Sequence, residues 1–156
     1  SKATVNARLL LDKARNENIP IVHIVHHGQD NDKIFDPLSS KVEIIDSLQP
    51  LDDEKTIIKM HPNAFYNTEL QTLITSVGKQ QIIFAGFMSH MCVSSSVRAA
   101  FDLGFESFVC HDACATRDLP SVTGQVITAS TVHDSAMAAL QDTFAALVAT
   151  DKLING

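Results

Sequence analysis

Cys92 is the side chain of this 156-residue chain that best meets the requirements of a nucleophile. It follows a predicted strand and a short loop that contains Gly86, and it begins a predicted helix. A thiol at a helix N-terminus lies near the positive end of the helix dipole, which favours the thiolate. The free N–H groups of the same turn can bind a developing oxyanion. Position alone leaves two interpretations open, a nucleophile or a small buried apolar residue.

Lys59 and Asp112 are charged residues at the ends of two other predicted strands. A lysine at the end of a strand that is covered on both faces needs a partner, and Lys59 could supply the positive charge that stabilises a thiolate. The alternative is that the sheet ends there and Lys59 reaches water. For Asp112 we favour a structural role, because short acidic side chains often accept backbone N–H bonds, here within the loop 112–118.

Histidines lie at or shortly after the predicted strand ends. The five at this edge are His26, His27, His61, His90 and His111. A catalytic metal needs about three convergent ligands. The spacings match no metal signature such as His-Glu-x-x-His, so we predict no metal site and keep a metal-dependent hydrolase as an alternative. His133, within a helical stretch near the C-terminus, is predicted to pack against a helix or to lie at the surface.

Aromatic residues lie in predicted loops or near strand ends, where they could either wall a substrate pocket or fill the core. These residues are Phe35, Phe65 and Phe87. The other two cysteines, Cys110 and Cys114, are predicted to be structural.

Short apolar runs alternate with longer amphipathic stretches, which predicts an α/β fold with a parallel sheet. The predicted strands are residues 19–26, 56–59, 81–86, 105–110 and 144–148. The predicted helices are residues 2–18, 39–47, 68–77, 92–103 and 121–140, the last being one long helix or two. Ligands of open parallel sheets bind at the carboxyl ends of the strands, which is where the reactive side chains above are predicted.

The composition indicates a single domain over residues 1–156 and excludes several classes of partner. The net charge is −6 without a basic cluster, which argues against nucleic acid and acidic membranes as partners. No apolar run is long enough for a membrane helix, and no signal peptide is visible. Three cysteines without a paired framework are typical of reduced thiols, so we predict a cytoplasmic protein.

Four segments together resemble the isochorismatase-like cysteine hydrolases, the superfamily that includes isochorismatases, nicotinamidases and N-carbamoylsarcosine amidases. The segments are the nucleophile segment 86–104 (from Gly-Phe-Met-Ser-His-Met-Cys-Val to Gly104), the segment 112–117 (Asp-Ala-Cys-Ala-Thr-Arg), the lysine segment 59–70 and the C-terminal segment 132–140. The resemblance covers nearly the whole chain.

This resemblance implies a three-layer α-β-α fold with a parallel sheet in the order 3-2-1-4-5-6. It implies a catalytic triad of Asp, Lys and Cys, in which Lys59 and Cys92 are two members. It also implies a cis peptide between Phe87 and Met88, which would aim the backbone N–H groups of Met88 and Cys92 at the substrate carbonyl. The family commonly forms dimers or tetramers, so we expect a homo-oligomer.

Two features depart from the family pattern. The first strand, which carries the Asp of the triad, is absent from this sequence, so we expect the chain to be N-terminally incomplete. The histidine order at residues 26–30 does not fit the nicotinamidase metal site, so we expect no metal or other cofactor.

Cys92 favours amide over vinyl-ether cleavage. The resemblance therefore predicts a cysteine hydrolase that cleaves a C–N bond of a small amide or carbamoyl compound through a thioester. Phe65, His27 and Phe35 are candidates for the substrate pocket. A non-catalytic relative that binds a small ligand or a partner is a further alternative.

Overall fold

The computed structural model describes residues 1–29, 32 and 34–156, and within them it contains five α-helices and seven strands. The helices are α1 (Lys2–Asn16), α2 (Leu70–Ser76), α3 (Ser94–Asp102), α4 (Ala129–Gln141) and α5 (Thr150–Asn155). The strands are β1 (Val22–His26), β2 (Lys55–Lys59), β3 (Gln81–Phe87), β4 (Glu106–Ala115), β5 (Leu119–Pro120), β6 (Val126–Ile127) and β7 (Ala146–Val148). No helix in this part of the chain has the length and apolar character needed to cross a membrane.

The parallel strands form two hydrogen-bonded groups. β1 pairs with β2, and β3 pairs with β4, which in turn pairs with β7. The pair β2–β1 and the group β3–β4–β7 are the two sides, or flanks, of the predicted sheet order. Among the described residues, β1 and β3 do not pair with each other. The first strand that the resemblance places between the flanks stays a prediction.

β4 is covered on both faces, and this produces the three layers. Val109 and Cys114 belong to one apolar cluster, which Val97 of α3 and Leu140 of α4 complete. Cys110 and Ala113 of the same strand pack into a second cluster, against Ala7 of α1. Successive side chains of a strand point to opposite faces, so the adjacent residues Val109 and Cys110 face different layers. The predicted α-β-α architecture is confirmed.

A third apolar cluster lies under α2. It consists of Ile57 of β2, Ala64 of the following loop and Leu70 of α2. This cluster fixes the loop that follows β2. That loop contains His61 and Pro62, whose carbonyls contact Lys59.

The prediction of a helix over residues 121–140 is wrong in its first part. β5 and β6 form an antiparallel hairpin instead, and Gly124 lies in its turn with a φ of +84°. A positive φ suits glycine and ends a helical path. α4 begins only after Thr128, whose hydroxyl accepts a hydrogen bond from the N–H of Thr131. The predicted helix at 39–47 is two 3-10 turns, Ser40–Val42 and Asp46–Leu48, and α5 has no counterpart in the prediction.

Candidate active site

The nucleophile segment is a tight connection between β3 and α3. Gly86 has a φ of +131°, and the peptide bond between Phe87 and Met88 is cis. A π-helical turn, Ser89–Val93, follows and continues directly into α3. The N–H of Val93 donates to the carbonyl of Met88, five residues earlier, at 3.3 Å. Helical structure therefore begins at Ser89, so the predicted start of the helix at Cys92 is wrong by three residues, although Cys92 still lies in its first turn.

Lys59 lies directly against Cys92. Its Nζ is 3.1 Å from the Sγ of Cys92, 2.7 Å from the carbonyl oxygen of His61 and 2.9 Å from that of Pro62. An ammonium group has three N–H donors, and these three acceptors use all of them. Lys59 is only 3% exposed, whereas Cys92 is half-buried.

The Lys59 charge has no acidic partner among the described residues. No carboxylate in residues 1–29, 32 or 34–156 forms a salt bridge with Nζ. Burial lowers the pKa of Lys59, and the hydrogen bond and charge interaction with Cys92 oppose this shift. The thiolate of Cys92 is thus the anion through which this ammonium can be stabilised.

His26 is the second group that contacts the thiol. Its Nδ1 is 3.4 Å from the Sγ of Cys92, and its ring stacks on Phe35 with a centroid distance of 4.0 Å. Burial, followed by the charge of Lys59, lowers the pKa of His26 to about 4. The sequence placed His26 in a cluster of five histidines and gave no reason to single it out. Its place opposite Lys59 in the β1–β2 register is the signal that identifies it.

The three pocket candidates occupy different environments. Phe35 contacts His26, which in turn contacts the thiol of Cys92. The backbone N–H of His27 donates to the carbonyl of Lys59 at 2.9 Å, which ties the ends of β1 and β2 together. Phe65 packs against the cluster of Ile57, Ala64 and Leu70, and its ring lies 6.1 Å from that of Phe105. A substrate-binding role for these three residues stays a prediction.

The remaining histidines do not converge on a common centre. The ring of His61 lies on Tyr66, His90 bonds to the hydroxyl of Thr116, and His133 Nδ1 lies 2.7 Å from the hydroxyl of Ser89. Across the described part of the chain, no three His, Cys, Asp or Glu side chains are arranged so that they could hold a metal ion.

Asp112 stabilises a different element from the one predicted. Its carboxylate accepts the backbone N–H of Thr150 at 2.8 Å and the hydroxyl of Thr150 at 2.7 Å, so it holds the start of α5 rather than the loop 112–118. The other two thiols are buried. Burial raises the pKa of Cys110 to about 11 and that of Cys114 to about 12, which keeps both protonated at neutral pH.

Comparison with known proteins assigns the family. The family model described as "Isochorismatase domain" matches residues 1–152. The chain belongs to the isochorismatase family. It is similar to an uncharacterized isochorismatase family protein, YddQ, of Bacillus subtilis, with 36% identity over 98% of this chain and 85% of that protein. The crystal structure of an isochorismatase from Pseudomonas putida KT2440 superposes with a TM-score of 0.91 at 40% identity, covering 97% of this chain and 77% of that one.

The name of a further relative states the reaction that it catalyses. The ureidoacrylate amidohydrolase RutB of Acinetobacter baylyi is 33% identical over 72 residues, which are 46% of this chain and 29% of that protein. The protein is accordingly an isochorismatase-like hydrolase.

Proposed function

We propose that this isochorismatase-family protein is a cysteine-dependent hydrolase that cleaves a C–N bond of a small amide or carbamoyl compound. The observation that carries the proposal is the contact of 3.1 Å between the buried Nζ of Lys59 and the Sγ of Cys92. Burying an ammonium group is costly unless an anion accompanies it. Within the described residues the Cys92 thiolate is the anion that fits, and a thiolate is a strong nucleophile for acyl carbon.

The proposed reaction has two steps. In the first, the Cys92 thiolate forms a C–S bond with the carbonyl carbon, whose π electrons move to the oxygen. The backbone N–H groups of Met88 and Cys92 bind this oxyanion, as the family resemblance implies. The oxyanion then collapses, the C–N bond breaks and the amine leaves with a proton. The resemblance implies that the Asp of the family triad supplies that proton.

In the second step, water attacks the thioester carbon and gives one proton back to the group that protonated the amine, and the C–S bond breaks. The carboxylic or carbamic acid leaves, and the thiolate returns to its place beside Lys59. The similarity to an amidohydrolase supports a C–N bond as the target. An acyl-transfer mechanism of this kind needs an acyl or carbamoyl carbon, which a vinyl ether does not provide.

Replacing Cys92 by alanine tests this proposal. We expect the wild-type protein to release ammonia or an amine from a panel of primary amides, ureido acids and N-carbamoyl amino acids. Cys92→Ala should reduce turnover to background, since removal of a catalytic nucleophile costs roughly 10⁶-fold. The matched control is Cys110→Ala, which removes a buried thiol that contacts Thr150 rather than the nucleophile segment and should keep kcat/KM once the folded fraction is matched by circular dichroism.

Two inhibitors separate the thiol mechanism from a metal mechanism. Iodoacetamide should inactivate the wild-type protein, whereas prolonged treatment with EDTA should leave its turnover unchanged. Turnover that persists in Cys92→Ala, or that EDTA abolishes and zinc restores, would contradict the proposal.

A further inference from the structure

His26 reaches the thiol from the strand next to that of Lys59. In the parallel pairing of β1 and β2, His26 lies opposite Lys59 at the carboxyl end of both strands. Residues opposite each other in neighbouring strands project to the same face of the sheet. The two side chains therefore approach Cys92 side by side, with Nζ at 3.1 Å and Nδ1 at 3.4 Å from Sγ.

The ring of His26 is held in a defined orientation. It stacks on Phe35 with an interplanar angle of 21°. Phe35 is itself fixed by the carboxylate of Asp32, which accepts its N–H at 3.0 Å, and by the N–H of Gly28, which donates to its carbonyl at 2.6 Å. A ring clamped in this way keeps Nδ1 directed at the sulfur.

His26 is surrounded by more positive than negative charge. Burial and the ammonium of Lys59 lower its pKa to about 4, His61 and His27 act in the same direction, and Asp32 opposes them. The imidazole is therefore neutral at pH 7. Taking the thiol proton would create a second cation beside Lys59, so His26 is unsuited to act as the base for Cys92. A neutral imidazole can still donate one N–H to a thiolate.

We infer that His26 donates its Nδ1–H to the Cys92 thiolate and so acts with Lys59 to keep this sulfur ionised and oriented. The inference rests on the proposed function only in taking Cys92 as the nucleophile. Lys59 supplies the charge, and His26 supplies a directional hydrogen bond from a clamped ring. Charge-assisted hydrogen bonds of this kind stabilise the charged form of the acceptor.

The pH dependence of Cys92 alkylation tests this role without knowledge of the substrate. The rate of modification by iodoacetamide is followed from pH 4.5 to 9 by mass spectrometry of the peptide that contains Cys92. His26→Phe keeps an aromatic ring against Phe35 but removes the donor. We expect the midpoint of its profile to lie about one pH unit above that of the wild type, with alkylation about tenfold slower below the midpoint.

A rescue variant and a control separate hydrogen bonding from packing. His26→Asn loses the ring but offers an amide N–H near the position of Nδ1, so its midpoint should return toward the wild-type value. His111→Phe alters a histidine within β4 that does not contact Cys92, and its profile should match that of the wild type. His26→Leu provides a second donor-free variant if His26→Phe does not fold.

Each outcome is decisive for one of the two proposals. A wild-type midpoint in the folded donor-free variants would overturn the role of His26 and leave the proposed function intact. A shift in His26→Asn as large as that in His26→Phe would also overturn it, because packing would then explain the effect. A wild-type midpoint equal to that of free N-acetylcysteine would instead count against the activated nucleophile of the proposed function.

Discussion

Lys59 shows at the scale of a single residue how the site differs from an ordinary protein interior. A buried lysine loses its hydration, and here two backbone carbonyls and a sulfur replace it. The carbonyls supply dipoles but no charge, so under the proposed function the thiolate form of Cys92 is the anion that accompanies the ammonium, and the two groups act as one unit.

Replacing Lys59 by methionine should separate activity from stability. The variant keeps most of the side-chain volume but loses the charge, so we expect kcat/KM on any amide that the wild type hydrolyses to fall about 10²- to 10³-fold. The free energy of unfolding should not decrease, because replacing a buried ion by an apolar group is often neutral or stabilising. Kinetics and urea unfolding measure the two effects.

Lys55→Met is the matched control for this experiment. Lys55 lies on the same strand, its side chain is 51% exposed, and it pairs with Glu69 at the surface. The substitution there should leave kcat/KM unchanged. Wild-type kcat/KM in Lys59→Met would contradict the assigned role of the ammonium.

At the scale of elements, α3 supports the loop that holds Lys59. Ser96 of α3 is buried, and its hydroxyl accepts the N–H of Ala64 at 3.0 Å and lies 3.4 Å from the carbonyl of Pro62. The carbonyl of Pro62 is one of the two backbone carbonyls that accept a hydrogen bond from Nζ of Lys59. Helix α3, which follows Cys92, thus also fixes the loop that follows β2. The same helix therefore positions both the thiol of Cys92 and the ammonium of Lys59.

Ser96→Ala should weaken both stability and the thiolate. It leaves the buried N–H of Ala64 without its acceptor, which should reduce the free energy of unfolding by about 1–3 kcal/mol. We also expect slower iodoacetamide labelling of Cys92 at pH 6, because the loop no longer holds Lys59 as firmly. Ser95→Ala, a change in the half-buried neighbour, should have little effect on either measurement. Equal labelling in both variants would mean that Ser96 has no influence on the site.

At the scale of the whole molecule, the site spans two groups of strands that α1 connects. His26 ends β1 and Lys59 ends β2, whereas Cys92 follows β3. α1 packs on β4. Arg15 of α1 forms a bidentate salt bridge with the Glu54 carboxylate, with its Nε 2.7 Å from Oε1 and its Nη2 2.9 Å from Oε2. Glu54 also contacts Nε2 of His23 in β1 at 2.7 Å. This cluster of Arg15, Glu54 and His23 links α1 to the β1–β2 flank.

Glu54→Gln should destabilise the protein in a pH-dependent way. The hydrogen bond from Arg15 is the main cause that lowers the pKa of Glu54 from 4.5 to about 2, although burial opposes it. A carboxylate with a lowered pKa stabilises the folded state above its ordinary pKa, and that contribution is lost as the pH falls from about 4.5 to about 2. We expect a loss of about 2 kcal/mol at pH 7 that shrinks through this range.

Urea unfolding at pH 7, 5, 4 and 3 measures this difference. The exposed pair of Glu69 with Lys55 provides the control, because surface ion pairs contribute little, and Glu69→Gln should differ from the wild type by less than about 0.5 kcal/mol at each pH. A loss in Glu54→Gln that stays constant from pH 7 to pH 3 would contradict the ionic role of Glu54.

The sequence by itself determined the order of the elements and the two residues of the central contact. Apolar runs with β-branched residues identified β1 to β4. Lys59 ends one of these strands and Cys92 follows another, which predicted that both lie at one edge of the sheet. This inference works because parallel strands bring their carboxyl ends together, whatever the details of the loops. Residues 121–127 were misassigned as helix, because Gly124 turns the chain into a hairpin whose short strands carry little periodic signal.

Only the tertiary structure decided which histidine meets the thiol and what holds the site together. Five histidines share the predicted edge, but strand register and the loop that carries Phe35 bring His26 alone among them within hydrogen-bond distance of Sγ in the described residues. The contacts of Ser96 with Ala64 and of Glu54 with Arg15 and His23 join residues that are 31 to 39 positions apart in the chain. Sequence periodicity reports which face of one element is buried. Contacts between distant elements depend on register and loop conformation, which are fixed only when the whole chain packs.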